Sequence, residues 1–127
     1  MNCSEGSWGP VKDKFVGLER LPDRLREQSI SDEEVVLPLQ HALEAIDWFE
    51  AHGVLVLGWE GWVKDRVSGR KGHGNAPQGT VGLQDLSVSE AAEICRETMV
   101  AEAARWIAEN PATADDLYFC ITPKELI

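Results

Sequence analysis

The feature that most constrains the fold is a long helical pattern that begins at Ser87 and stops at Asn110-Pro111. Ser87 and Glu90 have the spacing of a capping box, and the proline prevents the helix from continuing past Glu109. The apolar residues recur at helical spacing. They are Val88, Ala91, Ala92, Cys95, Met99, Ala103, Trp106 and Ile107. We expect this stripe to face a hydrophobic core.

A second helix is predicted from Pro38 to Ala51. Its apolar positions are Leu39, Ala42, Leu43, Ile46 and Phe49. Gly53 suits the position after the helix, and His52 suits its negative C-terminal end. Upstream, the sequence predicts a short helix over 22–28, and a helical turn over 32–36 that Pro38 interrupts.

Strands are predicted between and after these helices. The continuous apolar run Val54–Leu57 is typical of a strand covered on both faces. Residues 59–64 either extend this strand or turn into the next one. The Gly-rich stretch 65–79 predicts a loop, and Thr80–Leu83 predicts a second strand that pairs with the first.

The last strand is predicted over Leu117–Thr122, with Pro123 ending it. The element order is then α-β-β-α-β behind an irregular N-terminal arm, residues 1–30. This order predicts a single α+β domain over 1–127, with a mainly antiparallel sheet and two principal helices packed on it.

The charge balance limits the partners. The 127 residues include 22 acidic and 12 basic side chains, for a formal net charge of −10. Such a surface repels the phosphates of nucleic acid and of anionic membranes and attracts basic proteins. No apolar run approaches the ~20 residues that span a bilayer. Residues 1–6 do not resemble a signal peptide, so we expect a cytoplasmic protein.

The cysteines and histidines predict neither metal nor cofactor chemistry. Cys95 and Cys120 are expected to be buried reduced thiols, and Cys3 an exposed one. The three histidines, His41, His52 and His73, have no zinc-ligand spacing. No nucleophile-elbow motif is present. We therefore expect no metal, no cofactor and no catalytic residue.

The stretch Gly58-Trp59-Glu60-Gly61-Trp62 is the first candidate site. In an extended strand the side chains alternate, so the two tryptophans lie on opposite faces and Glu60 lies beside Trp62. One tryptophan is expected in the core and the other on the surface. An exposed tryptophan beside a carboxylate has the composition of a binding hot spot for Arg or Lys.

The second candidate is the basic loop Lys64–Gly74. Against one acidic residue, Asp65, it collects Lys64, Arg66, Arg70, Lys71 and His73. It does not match the phosphate-binding loop GxxxxGK[ST]. It is either a mobile hairpin loop or one side of an interface that uses both signs of charge.

The segment from Asp32 to Lys64 resembles a known family. The helix L39-Q-H-A-L-E-A-I-D-W-F-E-A-H-G53 runs into an apolar strand that ends in Gly58 and an acidic residue. This pattern is similar to the immunity protein 40 family of bacterial polymorphic toxin systems. The resemblance implies a small α+β antidote that binds a cognate toxin in the cytosol.

Three hypotheses follow. In the first, an acidic immunity protein occludes a basic toxin surface through Trp59, Glu60, Trp62, Arg66, Arg70, Lys71 and His73. In the second, a small enzyme or ligand-binding domain uses Glu60 and His73 in a cleft at the sheet end, and it predicts a concave pocket there. In the third, exposed tryptophans form a homodimer.

Overall fold

Two long antiparallel strands, β3 and β5, form the centre of the fold. In the computed structural model, which describes residues 14–15 and 17–125, the strands and helices follow one another in this order. They are β1 Lys14–Phe15, α1 Asp23–Arg26, β2 Val35–Pro38, α2 Leu39–Ala51, β3 Val54–Asp65, β4 Lys71–Gly72, α3 Val88–Glu109 and β5 Asp115–Glu125, with 3-10 turns at Leu18–Arg20 and Leu83–Asp85. The predicted α+β class with an antiparallel sheet is confirmed.

The sheet is built outward from β5. One edge of β5 pairs with β3 from Asp115 to Glu125. Its other edge pairs with β2 and, further along, with β1. The two-residue strand β4 extends the sheet beyond β3. All of these pairings are antiparallel.

The end of β5 differs from the prediction, because the strand continues through Pro123 to Glu125. Pro123 falls between the residues that pair with β2 and those that pair with β1. It also lies opposite a bulge in β3 between Val56 and Gly58. At this irregular position the missing N–H of proline is tolerated.

The helical turn predicted over 32–36 is wrong. The Ser31 hydroxyl does accept hydrogen bonds from the backbone N–H groups of Glu33 and Glu34, as a helix cap would. The chain then enters β2 instead of a helix, because Val35–Pro38 pairs with β5. Tertiary pairing of this apolar, β-branched run prevails over the local capping signal.

Helix α2 matches its prediction closely. Pro38 is the N-cap, His52 the C-cap, and Gly53 follows with a left-handed φ of 72°. The short helix predicted over 22–28 is also confirmed as α1, although Pro22 lies at its N-cap.

Helix α3 spans Val88–Glu109 with the predicted capping box at Ser87 and Glu90. Most of the predicted stripe is buried, but Ile107 is 60% exposed. Helices α2 and α3 contact each other and the same face of the sheet. Along this helix-facing side, the core is completed by Val35, Leu37, Trp59, Phe119 and Ile121.

The cysteines and the question of a membrane-spanning helix complete the comparison with the sequence. Cys95 and Cys120 are buried and free, as predicted, whereas Cys3 lies outside the described residues. Over the described chain, no helix is long and apolar enough to cross a membrane.

Candidate functional site

The Trp-Glu-Gly-Trp stretch is part of a straight strand, so the turn considered for residues 59–64 does not form. Residues 59–62 pair in order with Ile121, Cys120, Phe119 and Tyr118 of β5. Because side chains alternate along a strand, Trp59 faces the helices while Glu60 and Trp62 face the opposite side. We call this opposite side the outer sheet face; its central residues are Glu60, Trp62, Lys64, Asp116, Tyr118 and Cys120.

Trp59 is a core residue. Its side chain is 1% exposed and meets the Phe119 ring edge-on at 5.1 Å between centroids. Its indole Nε1 donates to the Thr98 hydroxyl over 3.0 Å, which satisfies the buried donor. A residue packed in this way has no surface to offer a partner, so the inclusion of Trp59 in the predicted binding set is corrected.

Trp62 is the surface member of the pair. It is half-buried, lies directly opposite Tyr118, and meets the His73 ring edge-on at 5.5 Å. Its indole Nε1 is inaccessible to solvent, and no described residue accepts a hydrogen bond from it. Such an unsatisfied donor is destabilising.

Glu60 is exposed and available. Within the described chain its carboxylate forms no hydrogen bond or ion pair. It lines a half-open cleft of about 390 Å³ together with His73. The other lining residues are Gly61, Gly74, Ala76, Pro77, Gln78, Gly79 and Val81. A concave cleft is therefore present, but it lies along the lateral edge of β3 and not at the end of the sheet, where the second hypothesis placed it.

The geometry of His73 fixes its tautomer. Its Nδ1 lies 3.2 Å from the carbonyl oxygen of Gly61. A carbonyl oxygen only accepts, so Nδ1 carries the proton, and in the neutral ring Nε2 is an acceptor. Glu60 and the uncharged form of His73 can together give the cleft two acceptors, which suits a cationic ligand group.

One wall of the cleft belongs to residues 76–81, here called the edge segment. This stretch was predicted to include a paired strand beginning at Thr80. It instead runs irregularly along the free edge of β3, where Trp59 N–H donates to Thr80 O (2.9 Å) and Gly61 N–H to Pro77 O (3.1 Å). Pro77, which has no backbone N–H, and Gly79 disfavour a regular ladder in this stretch.

Beyond the cleft, residues 65–70 form a tight hairpin into β4. Arg66 does not reach outward from it. Its guanidinium donates to the carbonyl oxygens of Thr113 (2.6 Å) and Ala114 (3.1 Å) and pairs with Asp116 (3.2 Å). Arg66 thus fastens the hairpin to the start of β5, and its structural task competes with the predicted role in binding.

The other basic residues of the loop differ in whether their side chains are held by hydrogen bonds. Lys71 Nζ donates to the carbonyl oxygen of Ile30, which ties β4 to the segment before β2. Arg70 is exposed, and among the described residues its guanidinium forms no hydrogen bond or ion pair, although its charge contributes to the lowered pKa of Asp65. Unlike Arg66 and Lys71, its side chain is therefore not held by a hydrogen bond.

Two features of the outer sheet face were not predicted. Tyr118 lies half-buried between Pro38 and Trp62. Cys120 lies opposite Glu60, and its thiol donates to the Glu34 carboxylate over 3.3 Å. Burial, aided by Glu34, raises the pKa of the Cys120 thiol well above its ordinary value. It is not a nucleophile.

These features define a small α+β domain whose candidate site is a half-open cleft that contains the Glu60 carboxylate and lies beside Trp62 and Tyr118 of the outer sheet face. Within the described residues, no cluster of His, Cys, Asp or Glu side chains could hold a metal ion. Comparisons with protein-family models, with curated proteins and with solved structures each find no match to this chain.

Proposed function

We propose that this chain is a stoichiometric binding protein of the immunity type, which occludes a basic surface of a partner protein. The observation that carries the proposal is the unpaired Glu60 carboxylate in a cleft beside half-buried Trp62. The resemblance of residues 32–64 to immunity protein 40 suggests the partner, a cognate bacterial toxin neutralised in the cytoplasm.

The composition of the cleft supports an arginine or lysine of the partner as the bound group. Glu60 supplies the counter-charge, and the uncharged form of His73 supplies an acceptor at Nε2. Pro77 and Val81 give the cleft apolar walls against which an aliphatic stem can pack. A cation enclosed there is paired and partly desolvated, and such pairs contribute more than those on an open rim.

The net charge supports the same kind of partner over longer distances. At −10 the chain attracts a basic protein before contact, which raises the association rate at low salt. Local contacts around Glu60 and Trp62 then determine the dissociation rate. Salt separates these two contributions, because it strongly screens the long-range attraction and has much less effect on the local contacts.

The first experiment is affinity capture. The immobilised protein is exposed to lysate of its own organism at low and at high salt. A basic protein held in a one-to-one ratio, with an association rate that falls as salt rises, supports the proposal. Capture of nothing contradicts it, and capture of a second copy of this chain supports the homodimer instead.

The captured partner is then tested with matched variants. Glu60→Gln and Glu97→Gln each remove one negative charge. Glu97 serves as the control because it is an exposed residue on α3 that does not line the cleft. We expect a loss of about tenfold or more in affinity for Glu60→Gln and less than twofold for Glu97→Gln. Equal effects would mean that only the net charge matters, and the site at Glu60 would be wrong.

A second candidate function follows from the fact that Glu60 and His73 line one cleft. A carboxylate and an imidazole together could bind a small cationic ligand or exchange protons with a substrate. The probe is ethylguanidinium, followed through Trp62 and His73 resonances by NMR. Saturable binding that Glu60→Gln abolishes, without any protein captured from lysate, would favour this ligand-binding function.

A further inference from the structure

The hairpin of residues 65–70 presents the most exposed large apolar side chain among those described. Val67 at its tip is 89% exposed, compared with 71% for Val81, 60% for Ile107 and 47% for Val100. A single exposed valine is ordinary on a protein surface. Val67 differs from the other exposed apolar residues because hydrogen bonds hold the hairpin that carries it.

The hairpin is held from within by Asp65. The carboxylate Oδ1 of this residue accepts from the N–H groups of Val67 (2.7 Å) and Ser68 (3.1 Å). These two hydrogen bonds lower the pKa of Asp65. The backbone of Asp65 also accepts from Gly69 N–H and donates to Arg70 O, each over 2.8 Å. Gly69 supplies the left-handed φ of 77° that closes the turn.

The hairpin is also held from outside. The backbone N–H of Arg66 donates to Ala114 O over 3.0 Å, and its guanidinium reaches Thr113, Ala114 and Asp116. The turn therefore has one geometry relative to the sheet. A partner that binds Val67 does not have to order a flexible loop, and the entropic cost of association is correspondingly smaller.

We propose that this hairpin is a preformed insertion element, with Val67 as its apolar anchor and Arg70 as its charged rim contact. The inference rests on the proposed function and adds a second contact to the one at Glu60. The partner would offer a shallow apolar pocket with a carboxylate at its rim. Arg66 is assigned here as a positioning residue that does not touch the partner.

The proposal places the two contacts in one interface. Four residues of β3 lie between Glu60 and Asp65, so five steps of about 3.4 Å span about 17 Å, and Val67 lies just beyond Asp65. A typical interface buries roughly 800 Å² on each protein, or about 28 Å across. The partner would thus be basic where it meets Glu60 and acidic where it meets Arg70. Such an alternation fixes the orientation of binding.

The rigidity of the hairpin is tested on the free protein. Amide hydrogen exchange by NMR should show protected N–H groups for Asp65 and Gly69, the two that close the turn. In Arg66→Ala we expect exchange at both positions to become at least several-fold faster, with unchanged exchange in α3. Fast exchange in the native chain would overturn the claim of a preformed element.

The anchor is tested on the captured partner with Val67→Ser and a control, Val100→Ser, which makes the same change on an exposed turn of α3. We expect about a tenfold loss of affinity for Val67→Ser and less than twofold for the control, with unchanged urea midpoints. Arg70→Ala should weaken binding without altering hairpin exchange, whereas Arg66→Ala should alter both.

The outcomes separate the two proposals. A partner sensitive to Glu60→Gln but indifferent to Val67→Ser leaves the proposed function standing and overturns the insertion element. Indifference to both substitutions overturns both. Failure to capture any partner also overturns both, because the insertion element has no role without one.

Discussion

The backbone N–H of Gly61 donates to the carbonyl oxygen of Pro77 over 3.1 Å, and a Cβ on Gly61 would lie 2.5 Å from that same oxygen. Position 61 thus requires glycine because the backbone of β3 contacts the backbone of the edge segment there, and not because the chain turns. Gly79 shows the same relationship from the other side, since its Cβ would lie 1.7 Å from the carbonyl oxygen of Trp59. The two backbones approach too closely for any side chain between them.

The first prediction concerns this close approach. Gly61→Ala should lower the free energy of unfolding by about 1–3 kcal/mol, because the added methyl group must displace the edge segment. Gly72→Ala is the matched control: a Cβ there meets no atom within 4 Å, and its effect should stay within about 0.5 kcal/mol. Urea unfolding followed by tryptophan fluorescence measures both. Equal effects would contradict the packing argument.

The second prediction concerns the buried indole of Trp59. Thr98→Val keeps the side-chain shape but removes the acceptor of the Trp59 Nε1 proton, so the unfolding free energy should fall by about 1–3 kcal/mol. In the Trp59→Phe background the donor is already gone. The same Thr98→Val change should then cost less, and a double-mutant cycle measures the difference. An additive cycle would show that the hydrogen bond contributes nothing.

The third prediction concerns pH. Arg96 on α3 donates to Glu50 (2.7 Å) and Asp47 (3.0 Å) on α2, and the hydrogen bond from Arg96 lowers the pKa of Glu50 below its ordinary value of 4.5. A carboxyl group with a lowered pKa stabilises the fold above its unfolded pKa, and this contribution disappears as the pH falls through the folded value.

Glu50→Gln should therefore reduce the unfolding free energy at pH 7 by about 1 kcal/mol, since a charged hydrogen bond is lost. At pH 3 the gap between the variant and the native chain should be clearly smaller. Urea titrations at several pH values measure the gap. A gap of the same size at pH 7 and at pH 3 would contradict this role of Glu50.

The fourth prediction concerns the thiols. Burial raises the pKa of Cys95 to about 11 and raises that of Cys120 as well, so both remain protonated and inaccessible at pH 8. In a Cys3→Ser background, a disulfide reagent should modify no thiol of the native protein within minutes, and two thiols in urea. Rapid reaction of either cysteine in buffer would contradict the buried assignment.

The elements with local signals could be predicted from the sequence. Helix α3 carries its own start and stop at Ser87 and Pro111, and α2 ends at Gly53 as its pattern indicates. Strand β2 could not be predicted in this way. Its four residues follow a sequence that resembles a helix cap, and only pairing with β5, some eighty residues later, makes them a strand.

The candidate site was predictable only in part. Alternation along β3 placed Trp59 and Trp62 on opposite faces, but only packing against Thr98 and Phe119 determines which one is buried. The cleft depends on the edge segment folding back onto β3, a long-range contact with no local pattern. Likewise, the sequence predicted a cluster of basic residues in the loop, but it did not predict that Arg66 pairs with residues 113–116.

Within the described residues, irregular chain covers part of each lateral border of the sheet. On one side, the N–H groups of Trp59 and Gly61 are taken by the edge segment. On the other, the Ser29 hydroxyl accepts from the N–H of Val36, and Ile30 N–H donates to the Val36 carbonyl. Open strand borders are templates on which proteins polymerise. The segment that forms one wall of the cleft therefore also occupies the backbone N–H groups of β3 that an added strand would need.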